Sequence, residues 1–309
     1  MKIFSNFIPQ ERYEKRLGLK DKPITLFNDY PPKNLEELQI NPINILIVNE
    51  PNEFFGIHDW AIQNQHLFNI ILTWSQKVLD NCENSTLFYH GEKNIDLEYC
   101  SKWDPCPFHL EFYDKNGPTG KNTTIKTPNK IFEVSFLRGI LNKIEGHHLR
   151  HRIYGLEPEV KIPHKFWDVL SDFDKEKNNR PDGKDLPNGN PIEGEGKKEV
   201  WNRNSMFHIA VENSSHRNYF TDKIVDCFCI ITIPIYWGAP NIGDFYDERG
   251  IIQFKNENEL IDIINNLTPE DYYSRLEFVE NNYKRALQDS DYFKRLEKWL
   301  SELCKQNNL

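Results

Sequence analysis

Residues 206–254 read MFHIAVENSSHRNYFTDKIVDCFCIITIPIYWGAPNIGDFYDERGIIQF, and this stretch decides the fold. An apolar run over 206–211 ends at Glu212-Asn213 and is followed by a polar turn over 214–218. Thr221 is a helix N-cap, and Ile224, Val225 and Phe228 repeat at helical spacing behind it. A second apolar run over 230–237 stops at Gly238 and Pro240. Strand, loop, helix, strand is one right-handed βαβ unit, with its loop at the carboxyl end of the first strand. Ligands of open α/β sheets bind at that end, and a helix N-terminus offers an anion its unpaired N–H groups. Lys223 lies in the first helical turn, where a cation is disfavoured by roughly 0.3–1 kcal/mol. Its presence predicts a bound anion that lysine and helix end neutralise together.

Outward from this unit, alternating short apolar and helical segments give an α/β pattern. Residues 43–48 (INILIV) form a continuous apolar run, which predicts a buried parallel strand ending at Asn49-Glu50-Pro51. Further strands are expected over 66–74 and 85–89, with a helix over 75–82. Residues 1–40, polar and proline-spotted, read as an irregular or partly helical lead-in. Residues 115–130 read as a linker, and 131–137 (IFEVSFL) begin a second set of strands. A basic helix covers 146–154, and its His147 and His151, one turn apart, suit a solvated face better than a metal pair. Residues 174–199 are a long polar excursion. The chain closes with the strand 250–254, a helix over 259–267 and amphipathic helices over 270–286 and 290–304. The division expected is 1–129, an N-terminal α/β domain, 130–285, a C-terminal α/β domain that carries the βαβ unit, and 286–309, a helix packing back on the first.

Composition bounds the function. With 309 residues, 38% hydrophobic and 13% aromatic, the chain can bury a substantial core. A net charge of −9 argues against a general nucleic-acid surface. Six cysteines show no zinc-type pairing; Cys227 and Cys229 read as free thiols, while a bridge between Cys100 and Cys106 is left open. No apolar run approaches the roughly 18 residues that span a bilayer, and the start is no signal peptide, so a cytoplasmic location is expected. Asp172-Phe173-Asp174 is a D-x-D of the kind that holds a metal, but it carries little weight in so acidic a chain. Gly120-Lys121 lacks the rest of a phosphate loop.

The segment ENSSHRNYFTDK followed by TIPIYWGAPNIGDF closely resembles the donor-binding signature of the family 10 glycosyltransferases, the α-1,3/4-fucosyltransferases. The resemblance lies in Phe207, Glu212-Asn213, Tyr219, Thr221-Asp222-Lys223 and Ile233-Pro234-Ile235 through Gly238. Asp222 stands where the family has glutamate. The resemblance implies a GT-B arrangement of two Rossmann-like domains facing across a cleft. It also implies transfer of fucose from GDP-fucose to a glycan hydroxyl, with inversion and without a metal or other cofactor. By resemblance Arg150 holds the phosphates, with Arg152 as the alternative. Lys223 joins it, Asp222 accepts from ribose hydroxyls, and Asn213 and Tyr219 line the donor site. The base is a first-domain loop glutamate, Glu50, with Glu53 as the alternative. A GT-B transferase using another nucleotide sugar and a non-catalytic nucleotide- or glycan-binding module are the competing readings. A missing base beside intact phosphate ligands favours the module, and a panel of nucleotide sugars read by thermal shift separates the donors.

Overall fold

A computed structural model describes residues 1–6, 10–18, 21–89, 130–139, 141–168, 204–289 and 291–306. Within them lie two five-stranded sheets in which every pairing is parallel. The first is built from β1 (Lys2–Ser5), β2 (Ile24–Asn28), β3 (Ile43–Val48), β4 (Ile70–Thr73) and β5 (Ser85–Leu87), in sequence order across the sheet. Between these strands run α1 (Gln10–Arg16), α2 (Leu35–Leu38), α3 (Asn52–Phe55), α4 (Ile57–Gln63) and α5 (Gln76–Asn81). The second sheet contains β6 (Ile131–Arg138), β7 (His164–Asp168), β8 (Ser205–Val211), β9 (Ile233–Trp237) and β10 (Ile252–Gln253). Its spatial order is β10-β9-β8-β6-β7, so the strand sequence reverses between β6 and β8. The helices of this half are α6 (Glu145–Gly155), α7 (Asp222–Cys229), α8 (Glu257–Asn266) and α9 (Pro269–Asp289), and α10 (Tyr292–Gln306) follows.

Parallel strands covered on both faces are apolar along their whole length. Accordingly β8 and β9 are buried at every residue, and β3 at all but its first. One face of the first sheet packs Ile57 and Ala61 of α4 and Val78 of α5 against Leu46, Val48 and Ile71. The opposite face is closed by α1 and α10: Tyr13, Tyr292, Phe293, Leu296 and Leu300 meet Ile24, Ile45, Ile47 and Leu72. In the second sheet α6, α8 and α9 share one core with the strands, and α7 forms another.

Several expectations change. Residues 1–40 are partly helical, as α1 and α2, but no mere lead-in: they also supply β1 and β2, which extend the first sheet beyond β3. The strand expected over 66–74 shrinks to β4, because residues 65–67 close a 3-10 turn. The strand expected over 250–254 shrinks to Ile252–Gln253, and the boundary drawn after 285 falls inside α9. His147, expected on a solvated face, is buried. The cysteine pair 100/106, the D-x-D at 172–174, the glycine-lysine pair at 120–121 and the polar segments 115–129 and 174–199 lie outside the described residues.

Candidate active site

The βαβ unit forms as its sequence dictates. Strands β8 and β9 are parallel neighbours in register Phe207↔Ile233 to Val211↔Trp237, and α7 connects them. Thr221 is extended at the N-cap and its Oγ1 accepts the Lys223 N–H at 3.4 Å, a long cap bond. The same hydroxyl donates to Glu212 Oε2 at 2.6 Å, and the Thr221 N–H donates to Glu212 Oε1 at 2.8 Å. Lys223 Nζ lies 3.0 Å from Thr221 Oγ1, 3.5 Å from Asp222 Oδ1 and 3.7 Å from Glu212 Oε2. Burial pushes the Glu212 carboxyl up, while Lys223 and the two Thr221 bonds pull it back. Glu212 therefore ties the strand end to the helix start and keeps the lysine at the helix N-terminus.

Two glycines let the backbone close round this carboxylate. A Cβ on Gly146, at the start of α6, would overlap the carbonyl oxygens of Glu212 and Asn213, whose strand end its N–H bonds at 2.9 Å. One on Gly238 would overlap the Tyr236 hydroxyl and Glu212 Cγ. Helix α6 thus abuts the end of β8 where the strand order reverses, the position at which open α/β sheets bind ligands. Arg150 enters from α6. Its NH1 donates to Val211 O at 2.6 Å and its NH2 to Asn213 Oδ1 at 2.9 Å. With five N–H donors on a guanidinium, these two bonds leave others for a ligand. Arg152 instead pairs with Glu257 on the surface. His147, on the same turn of α6 as Arg150, accepts the Lys143 N–H on Nδ1 at 3.2 Å and meets the edge of Phe54 from the first domain. Burial, then Arg150 and Lys223, push its imidazole down to about 4, so it is neutral at pH 7.

Glu50, two residues past β3, faces this group across the two sheets. Burial raises its carboxyl above the usual 4.5, Lys223 lowers it, and Asp222 and Glu212 raise it again. Its Oε2 is buried with no hydrogen-bond partner among the described residues. Glu53, one turn on, points elsewhere: its Oε1 meets His216 Nε2 at 2.8 Å on the half-exposed rim. Burial pushes Glu53 up, but its own backbone bond and His216 outweigh it and leave the carboxyl low. Tyr219 is buried with its ring 4.7 Å from that of Trp74 in the first domain, within the field of Glu50, Glu212 and Asp222. Glu50, Arg150, Asn213, Tyr219, Asp222 and Lys223 therefore converge on one place. Among the described residues no group of three metal-ligating side chains is close enough to hold an ion.

Sequence reading missed three residues of this region: Asp29, His58 and Trp74. Asp29 follows β2, which the sequence did not show as a strand, so it carried no usable signal. His58 and Trp74 carried none either.

Residues 188–307 match the sequence model of the C-terminal part of glycosyltransferase family 10 (fucosyltransferase). The chain is 28% identical over 145 residues to the alpha-(1,3)-fucosyltransferase FucT of Helicobacter pylori. That match takes in 44% of this chain and 28% of the relative's length. The fold is shared with a crystal structure of an alpha1,3-fucosyltransferase, at a TM-score of 0.53 and 16% identity, covering 95% of this chain and 91% of that one. It is shared also with Anabaena Alr3699/HepE in complex with UDP and glucose, at 0.56 and 13%, covering 96% and 80%. The α/β fold is that of the GT-B transferases. By sequence, residues 188–307 group with the C-terminal part of the family 10 glycosyltransferases.

Proposed function

We propose that this chain is a glycosyltransferase that moves fucose from GDP-fucose to a hydroxyl of an acceptor glycan, with inversion and without a metal ion. One observation carries the reading: Lys223 and Arg150 gather round Glu212 at a helix N-terminus, and Lys223 also acts on the partly buried Glu50 of the opposite domain. The C-terminal family match and the shared fold of the fucosyltransferase bound to GDP-fucose support fucose as the sugar.

In this reading the donor diphosphate lies at the start of α7. Lys223, the free N–H groups of Arg150 and the helix end take its charge. Asp222 accepts from the ribose, and Asn213 and Tyr219 line the pocket. The acceptor oxygen attacks the anomeric carbon as the bond to the β-phosphate breaks. The hydroxyl proton passes to Glu50, and GDP leaves with the electron pair. Neutralisation by arginine and lysine removes the need for a cation.

The test is a donor panel read by thermal shift, then a transfer assay with and without chelator. GDP and GDP-fucose should stabilise the protein, by about 2.7 kcal/mol at a hundredfold excess over Kd, and other nucleotide sugars should do so less. Turnover should survive EDTA. Turnover lost to EDTA and restored by Mn²⁺ overturns the metal-independent reading; stabilisation by UDP-sugars alone moves the donor away from GDP-fucose.

A further inference from the structure

Asn49 and Glu50 are held on all four of their backbone polar groups by side chains. The N–H of Asn49 and the N–H of Glu50 both donate to Asp29 Oδ1, at 2.8 and 3.1 Å. The Asn49 carbonyl accepts Trp74 Nε1–H at 2.6 Å, and the Glu50 carbonyl accepts His58 Nε2–H at 2.9 Å. The Asn49 side-chain amide donates to Asn28 Oδ1 at 2.7 Å and to the Tyr292 hydroxyl at 3.0 Å. Such a dipeptide has little room to turn.

Asp29 is the costly member of this frame. It directly follows β2, it is 1% exposed, and its φ of 46° is in the left-handed region that few non-glycine residues adopt. Backbone strain of this kind persists where the surroundings impose it, and it clusters at functional sites. Its second oxygen, Oδ2, is buried without a hydrogen-bond partner among the described residues. A carboxyl buried for packing alone would have no reason to bridge two consecutive N–H groups of one loop.

We infer that Asp29 is a positioning residue of the transferase, setting the direction of the Glu50 carboxylate by fixing the two N–H groups of its loop. The inference rests on Glu50 acting as the base. Burial, and then Glu50 itself, push the Asp29 carboxyl up to about 8, while the two N–H bonds pull it down. Asp29 is therefore mostly uncharged at neutral pH. What the loop needs from residue 29 is an oxygen acceptor, not an anion. An asparagine at 29 offers that oxygen, and asparagine also tolerates positive φ.

The experiment measures kcat for transfer from GDP-fucose to an oligosaccharide acceptor, beside GDP affinity by calorimetry. The variants are Asp29→Gly, Asp29→Asn, Glu50→Gln and Asp29→Gly combined with Glu50→Gln. Glycine removes the carboxyl without adding strain at this φ. Asp29→Gly should lower kcat about ten- to a hundredfold with GDP affinity held within about threefold, because a misaimed base loses most of what general-base catalysis contributes. Asp29→Asn should recover kcat to within about threefold of the natural chain, and in the Glu50→Gln background Asp29→Gly should cost less than about threefold, since the two residues serve one step. A purely structural role predicts instead a loss in both backgrounds and in GDP affinity, and that result overturns the inference. So does full kcat in Asp29→Gly. If Asp29→Gly does not fold, Asp29→Asn decides: retained kcat supports an oxygen acceptor, and a loss of about tenfold or more overturns it. A Glu50→Gln variant with full kcat sinks the base assignment itself, whatever Asp29 does.

Discussion

Lys223 occupies a place where the helix end alone repels a cation, and three oxygens hold it there: Thr221 Oγ1, Asp222 Oδ1 and Glu212 Oε2. This conflict was legible in the sequence, because a helix dipole has a sign and lysine has the wrong one. Lys223→Ala and Arg150→Ala should each weaken GDP binding by about 1.5–3 kcal/mol, roughly ten- to a hundredfold in Kd, for the loss of charge-assisted hydrogen bonds. Calorimetry showing unchanged GDP affinity in both variants removes the phosphate assignment. Lys223 also bears on the base. Glu50 must be ionised to accept a proton, and its folded carboxyl is raised, so kcat/KM should fall as pH falls through a value above the usual 4.5. Lys223 is the charge that lowers Glu50, so this acid limb should move to higher pH in Lys223→Ala. A limb that stays in place means that Glu50 is not the group titrating. His147 was not legible. Hydrophobic periodicity finds the inward face of a helix by its apolar residues, whereas α6 turns His147 and Arg150 inward together with Leu149 and Ile153.

At the scale of elements, the unit β8–α7–β9 was the easiest part of the chain to read, since strand and helix each keep one period and Thr221 marks the boundary. Strands β1 and β2 were not. β2 is buried throughout, yet Thr25 and Asn28 interrupt its apolar run, and they are tolerated because Asn41 Nδ2 reaches Thr25 Oγ1 and Asn28 bonds Asn49. Its cover is α10, which lies more than 260 residues on and enters no local window. The Thr221 cap gives a test at this scale. Thr221→Val keeps the shape but removes the hydroxyl that caps α7 and satisfies Glu212. The lost cap costs about 0.5–2 kcal/mol. The buried Glu212 oxygen left with one donor fewer adds about 1–3 kcal/mol. Urea unfolding that shows a change within about 0.5 kcal/mol, the range of an ordinary surface substitution, contradicts the central place given to Glu212.

Across the whole molecule, the site depends on contacts between the two sheets that no stretch of sequence announces. Trp74, after β4, is buried, and its ring meets Tyr219 at 4.7 Å, His58 at 5.1 Å and His216 at 5.9 Å. Its carbonyl accepts Asn218 Nδ2–H at 3.2 Å and its indole N–H holds Asn49 O. One side chain of the first domain thus backs both the donor-side Tyr219 and the loop that carries Glu50. The neighbouring Glu53–His216 pair is half exposed and contributes at most about 1 kcal/mol, so it cannot replace that contact. Trp74→Ala should therefore cost about 3–5 kcal/mol of stability, the usual range for a truncated core tryptophan. It should also do more. With Tyr219 unsupported, GDP affinity should fall, and with Asn49 O released, kcat should fall beyond the change in affinity. Trp74→Phe separates the two effects. It keeps a ring against Tyr219 but has no N–H for Asn49, so GDP affinity should stay within about threefold while kcat still drops. Calorimetry and transfer kinetics on the two variants decide the matter. If Trp74→Phe loses affinity and kcat in equal measure, Trp74 serves the fold alone and the coupling of donor site to base loop through it is wrong.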